Sequence, residues 1–334
     1  MNEIFLENAV KRLDTFLIKN KQSGEIELLT PDASTREYFR INWKNKTAIA
    51  CLYPESFTER EHNFLDVTKL FLACDLPVAE IYTFDGEPGV IVLEDLGDTI
   101  LREVLQQSGD KENYINKAIS LIAKIQAATP TAYELDSIAS RLKFDEEKLS
   151  WELNFFKTHY FETLKKQPLS AEINSALNEE FTELSRELES RAEVLCHRDF
   201  HAANLMIDAE NRLRIIDHQD ARIGAASYDL VSLLLDRVLD VPANDWLGEK
   251  KRFLLSEREK SGLKNIEFES FDDEFQLQTI QRCLKAIGTF SFQSAMRGKI
   301  YFIPFIAPMF RIVLQAAKQL NRFPTLRKVI SEII

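Results

Sequence analysis

The sequence predicts an α+β chain in two lobes: an antiparallel-sheet lobe first, then a mostly helical one. Three observations predict it. Strand-like apolar runs crowd the first hundred residues, interrupted by one long helical pattern. From about residue 98 helical periods take over, broken only by three short strand-like runs. At 334 residues the chain is also longer than one core usually organises. The expected division is 1–97 and 98–334, hinged near residues 94–98.

Each element has its own signal. Residues 3–20 set Ala9, Leu13, Phe16 and Leu17 at helical spacing, an amphipathic helix that should dock by its apolar face. The runs 26–30, 37–43 and 47–53 read as strands, the last two joined by a hairpin turn at Lys44-Asn45-Lys46. Helical period returns over 57–74. Residues 79–84 and 89–96 flank Asp85-Gly86-Glu87-Pro88-Gly89, a second hairpin signal. In the second lobe, helical patterns run at roughly 111–128, 145–165 and 170–190. The strands 193–197, 204–208 and 212–217 follow, and helices dominate to the end. Trp151, Phe155 and Phe156 fall at helical spacing and read as core.

Composition narrows the function. With 45% hydrophobic and 28% charged residues the chain is an ordinary globular one. A net charge of -11 argues against an open nucleic-acid surface, which needs clustered Lys and Arg. It is compatible with a cationic substrate, but solubility is the preferred explanation. Cys51, Cys74, Cys196 and Cys283 form no C-x-x-C pair, which fits a reducing cytoplasm. The N-terminus has no basic n-region, so no signal peptide is expected. The apolar stretch 300–310 is too short to span a bilayer and carries Pro304 and Pro308, so no membrane partner is expected. No feature predicts an oligomeric state.

Chemistry concentrates in residues 197–221, HRDFHAANLMIDAENRLRIIDHQDA, which hold three of the five histidines. His197 and His201 bring zinc to mind, but no third soft ligand accompanies them. The other donors are oxygens. Asp199, Asn204 and Asp217 follow H-x-D-x-x-x-x-N and then a strand pair ending in Asp, the layout of phosphoryl transfer. There a carboxylate must accept a proton and orient the attacking hydroxyl. An amide and a second carboxylate hold Mg²⁺ against the phosphate oxygens.

These blocks resemble the aminoglycoside phosphotransferase and choline kinase superfamily, with its bilobal protein-kinase-like fold. Within it they are most similar to the N-acetylmuramate/N-acetylglucosamine anomeric kinases. The likeness includes DASTREYFR at 32–40, LEDLG at 93–97, SYDL at 227–230 and LQTIQRCLKAIGTF at 277–290. It implies an ATP- and Mg²⁺-dependent kinase for a small-molecule sugar. Asp199 would be the base, with Asn204 and Asp217 as metal ligands. The backbone of Glu94 and Leu96 would meet the adenine edge. Ser34, Thr35, Arg36 and Arg40 would lie near the phosphates. Asp229 would brace the catalytic loop, or serve as a first-turn helix acid. His201 would support that loop or face the sugar, and Gln219 and Asp220 would lie near the acceptor.

Two departures stand out. The third strand, 47–53, carries no Lys to hold the nucleotide phosphates; Arg36, Arg40 and Lys46 are candidates, Arg36 first. The metal motif reads Asp217-His218-Gln219, in which His218 is a packed spacer or a ligand contact. Two rival readings are a kinase for an aminoglycoside or amino alcohol and a nucleotide-binding regulator without turnover.

Overall fold

The computed structural model describes residues 3–29, 36–107 and 109–334. The chain divides into two units, Met1–Gln107 with Ala203–Gln219, and Ser108–Ala202 with Asp220–Ile334. Where one cut after residue 97 was expected, the first unit extends ten residues further and takes back the segment 203–219. In chain order, α1 (Glu3–Lys19) precedes β1 (Glu27–Leu29), β2 (Glu37–Trp43), β3 (Lys46–Leu52), α2 (Asn63–Ala73), β4 (Ile81–Asp85), β5 (Val90–Glu94) and α3 (Leu101–Gln107). Helices α4 (Lys111–Ala127), α5 (Thr129–Glu134), α6 (Ile138–Arg141), α7 (Glu146–Lys157) and α8 (Ala171–Ser190) follow. Next come β6 (Val194–Cys196), β7 (Leu205–Ile207), β8 (Leu213–Ile215) and β9 (Arg222–Gly224). The chain ends with α9 (Tyr228–Leu235), α10 (Asn244–Lys260), α11 (Phe268–Arg297), α12 (Ile306–Gln319) and α13 (Pro324–Ile333).

The first unit is built on an antiparallel sheet of order β1-β2-β3-β5-β4 among the described residues. Its central strands are apolar on both faces, and the alternation shows where each face goes. Ala48, Ala50, Leu52, Val90 and Val92 join Leu13, Phe16 and Leu17 of α1 in one core. Cys51, Ile91 and Leu93 point the other way, to Leu65 of α2. Lys44 and Asn45 turn the β2–β3 hairpin with φ of 52° and 66°, the pair of positive values that a tight primed turn requires.

The β7–β8 hairpin belongs to this unit because backbone groups hold it there. Ile215 N–H donates to the Pro77 carbonyl at 2.8 Å, and Ile207 N–H to Thr99 at 2.9 Å. Arg214, 7% exposed, adds a buried ionic tie. It reaches Glu94 at 2.6 Å, Asp208 at 3.2 Å and the Val78 carbonyl at 2.9 Å.

The second unit is organised by α11, whose long run of buried residues packs against α7, α9 and α12. At Gly288 a Cβ would meet the Phe156 Cα at 2.7 Å, so only glycine permits the α11–α7 approach. The helical pattern expected over 145–165 is α7 followed by the wider helical turn Thr158–Leu164. Ile300–Gln319 is the stretch among the described residues long and apolar enough to cross a membrane; half of it is buried in the protein. All four cysteines are free.

Candidate active site

The expected site residues fall in two groups, one in each unit. In the second unit the loop after β6 carries Asp199. Asp229, fully buried in the first turn of α9, accepts from His197 N–H at 2.7 Å and Arg198 N–H at 3.0 Å. Arg198 sits at φ 86°, a conformation costly for a side chain with a Cβ and held here by that pair of bonds. Asp229 is thus both a first-turn acid and the loop's brace. Burial raises the pKa of its carboxyl. His197 is fully buried with its ring edge-on to Phe200, and His201 donates its N–H to the Asp199 carbonyl at 2.9 Å.

The Asp199 carboxylate is surrounded by cations. Arg282 Nη2 and Lys285 Nζ each lie 3.5 Å from Oδ1, and Arg198 Nε lies 3.8 Å from Oδ2. Burial by itself would raise this carboxyl. Lys285, then Arg282 and Arg198, outweigh it and hold the group well below the ordinary carboxylate range. Neither Arg282 nor Lys285 belongs to the motif around Asp199; the signal for them is a pair of cations on the largely buried helix α11. Asp220 is held by Arg198 at 2.9 Å and Arg222 at 3.7 Å.

In the first unit Asp217 ends the hairpin at φ 61°, a left-handed position that a short polar side chain tolerates. Its Oδ1 accepts from Gln219 Nε2 at 2.8 Å and from Arg36 Nη2 at 3.3 Å; its Oδ2 lies 3.5 Å from the Asn204 amide nitrogen. Gln219 is therefore turned toward Asp217. The Asn204 carbonyl accepts from Ile216 N–H at 3.1 Å, which fixes the two ends of the hairpin side by side. His218 is a packed spacer. It is 1% exposed, lies between Phe64 and Phe71, and meets Thr68 Oγ1 at 2.7 Å.

Arg36 also meets Tyr53 Oη at 3.3 Å and lies over the Tyr38 and Tyr53 rings. A cavity of about 470 Å³ opens there, lined by Arg36, Tyr53, Phe57, His62, Phe64 and Gln219. Arg40 is engaged elsewhere: Asp95 at 2.8 Å and Asp98 at 2.7 Å tie it to the segment after β5. Glu94 N–H is bonded to the Glu80 carbonyl at 2.9 Å, and its side chain to Arg214. Leu96 is buried in the core beside Leu65 and Ile91. Ser34 and Thr35 lie outside the described residues.

A family model described as the phosphotransferase enzyme family matches residues 25–260. The chain belongs to that family. This phosphotransferase is 26% identical over 322 residues to an N-acetylmuramate/N-acetylglucosamine kinase of Neisseria meningitidis, covering 93% of this chain and 91% of the relative. Its fold matches choline kinase LicA of Streptococcus pneumoniae with a TM-score of 0.58 at 14% identity, over 91% of this chain and 98% of that one. It also matches the ADP-bound aminoglycoside phosphotransferase APH(2'')-Ib with a TM-score of 0.56 at 12% identity, over 92% and 98%. The fold is accordingly the kinase-like α+β fold, and the phosphotransferase is a kinase that phosphorylates a hydroxyl. With turnover established for the family, the reading as a regulator without activity falls away.

Magnesium fits the donors in the first unit. Asp217 and Asn204 offer hard oxygens, and the Asp217 side chain is 42% exposed, which leaves room for water and phosphate oxygens. Among the described residues no group of three His, Cys, Asp or Glu could cage a metal, as a structural zinc site would require.

Proposed function

We propose that this kinase transfers the γ-phosphoryl group of ATP to the anomeric hydroxyl of N-acetylglucosamine or N-acetylmuramate, giving the sugar 1-phosphate in cytoplasmic salvage of cell-wall sugars. The near full-length similarity to a kinase named for these two sugars carries the reading. The environment of Asp199 supports it. A carboxylate whose pKa is lowered by Lys285, Arg282 and Arg198 is a weaker base than a free one. It suits a hydroxyl that is already acidic, and a hemiacetal hydroxyl is more acidic than an ordinary alcohol because the ring oxygen withdraws charge.

In this mechanism Asp199 accepts a hydrogen bond from the anomeric hydroxyl and aims its oxygen at phosphorus, and Asp229 keeps the loop in place. Arg36, adjacent to Asp217, takes the phosphate-binding role that a strand Lys would otherwise fill. Asn204 and Asp217 would hold Mg²⁺, which when bound offsets charge on the phosphate oxygens. The rival, a cationic amino-alcohol or aminoglycoside acceptor, is disfavoured by the three cations around the base.

The test is to incubate the enzyme with ATP, Mg²⁺ and N-acetylglucosamine, N-acetylmuramate, simple hexoses or amino alcohols. The phosphate is then located by ³¹P–¹H NMR. Coupling of phosphorus to the anomeric proton is expected, with activity abolished by EDTA and restored by Mg²⁺. Phosphate on another hydroxyl, or turnover of amino alcohols alone, would sink the proposal.

A further inference from the structure

We propose that Arg282 and Lys285 are positioning residues for Asp199: they hold its carboxylate through one oxygen and keep it an orienting anion, selecting acceptors whose hydroxyl is already acidic. This rests on the reading of an anomeric kinase given above. Both residues come from α11, and both meet the same oxygen, Oδ1, at 3.5 Å. One cation would be enough to keep a carboxylate ionised. Two on one oxygen also fix the direction in which the group points.

The two cations are held differently. Arg282 is anchored: its Nε donates to Ser232 Oγ at 2.7 Å, and its guanidinium lies over the Tyr228 ring. Lys285 is suspended between carboxylates, 3.5 Å from Asp199 and 3.7 Å from Glu152 Oε1. Glu152 is 1% exposed, and Gln281 Nε2 donates to its other oxygen at 2.7 Å. Gln281, Lys285 and Gly288 recur at helical spacing and meet Glu152 and Phe156 of α7. These ion pairs are long beside the structural ones, such as Arg198–Asp220 at 2.9 Å or Arg40–Asp95 at 2.8 Å.

Other groups that face Asp199 include Arg198 and His201 of its own loop and Tyr228 of α9, with Glu152 and Asp220 reached through Lys285 and Arg198. Burial and Arg282 lower the pKa of Lys285, while Asp199 and Glu152 oppose that shift. Neutralising Lys285 removes the leading cation that keeps Asp199 acidic.

The variants Lys285→Met and Lys285→Arg test this. Lys285→Met should lower kcat by ~10- to 100-fold while KM for ATP and sugar changes less than ~3-fold. The acid limb of its pH–rate profile should move up toward the ordinary carboxylate value of ~3.9. Lys285→Arg should restore most of both. The Asp199 titration, followed by the ¹³C carboxyl signal that disappears in Asp199→Asn, needs no acceptor, so it decides the proposal even if no N-acetylhexosamine is turned over. Its midpoint should rise in Lys285→Met and fall back in Lys285→Arg. An unmoved midpoint, or a raised sugar KM at unchanged kcat, would overturn the proposal; failure of wild type to phosphorylate either sugar would instead overturn the functional reading.

Discussion

Replacing Asp229 should unhinge the catalytic loop, and the size of the effect can be worked from its two hydrogen bonds. The buried carboxylate accepts from His197 and Arg198 N–H at 2.7 and 3.0 Å. Each hydrogen bond to a charged acceptor is worth ~1.5–3 kcal/mol net. Asp229→Ala leaves both N–H groups buried and also releases Arg198 from φ 86°, so the second unit should lose ~3–5 kcal/mol. Asp229→Asn keeps one acceptor. It also relieves the burial that pushes the carboxyl pKa up, which places its cost nearer ~1.5–3 kcal/mol. For a unit of this size that is a fall in unfolding temperature of roughly 3–12 °C. Displacing the base by even an ångström should cut kcat by ~100-fold. Thermal unfolding, amide exchange at His197 and Arg198, and steady-state kinetics measure the three effects. An Asp229→Asn enzyme that unfolds within ~1 °C of wild type, with unchanged exchange at both amides, would refute the bracing argument.

Three further outcomes are expected. Arg36→Ala should lower kcat/KM for ATP by ~10- to 100-fold, with Arg36→Lys intermediate, because a fork-shaped donor is replaced by a point charge; steady-state kinetics at varied ATP checks it. In urea unfolding, His218→Ala should cost ~2–4 kcal/mol by emptying the slot between Phe64 and Phe71, while His218→Phe should lose only the Thr68 contact, ~1 kcal/mol. The Arg214 cluster should confer acid sensitivity on the first unit. Burial pushes Asp208 up, but Arg212 and Arg214 bring it down to about 2, and Arg214 likewise keeps Glu94 low. These carboxylates therefore stabilise fully above the unfolded value of ~4 and lose that contribution as pH falls toward about 2. Unfolding midpoints between pH 5 and 2 should show this fall in wild type. Arg214→Met should cost ~3–5 kcal/mol at neutral pH and flatten the dependence.

The parts legible in the sequence were those governed by local periodicity. The apolar run over 47–53 is legible as a strand, and the structure adds that Ala48, Ala50 and Leu52 pack on one face with Ile49 and Cys51 on the other. The turn at Lys44-Asn45-Lys46 was announced by three polar residues between two strand-like runs, of which Asn45 readily accepts its positive φ. Partner choice was not legible. Arg40 looked like a phosphate ligand, yet its charge is directed to Asp95 and Asp98, 55 and 58 residues away. The β7–β8 hairpin follows the helical segments in sequence, but backbone carbonyls of Pro77 and Thr99 tie it to the sheet unit, and carbonyls leave no mark in side-chain pattern. Lys285 lies 86 positions from the carboxylate it faces, so the motif around Asp199 gave no hint of it.

Gly288 gives the enzyme an index mark. Because its bare backbone rests on that of Phe156, the longest helix in the protein can take up only one setting along α7. Lys285, one turn earlier, inherits that setting, as a pointer on a shaft inherits the angle of its keyway. Tuning the strength of the base is then a matter of exchanging single side chains at 282 or 285 on a fixed mount. A change at 288 would instead displace every group the helix presents, so a kinase with a new preference for acceptor acidity is most economically reached by leaving the glycine alone.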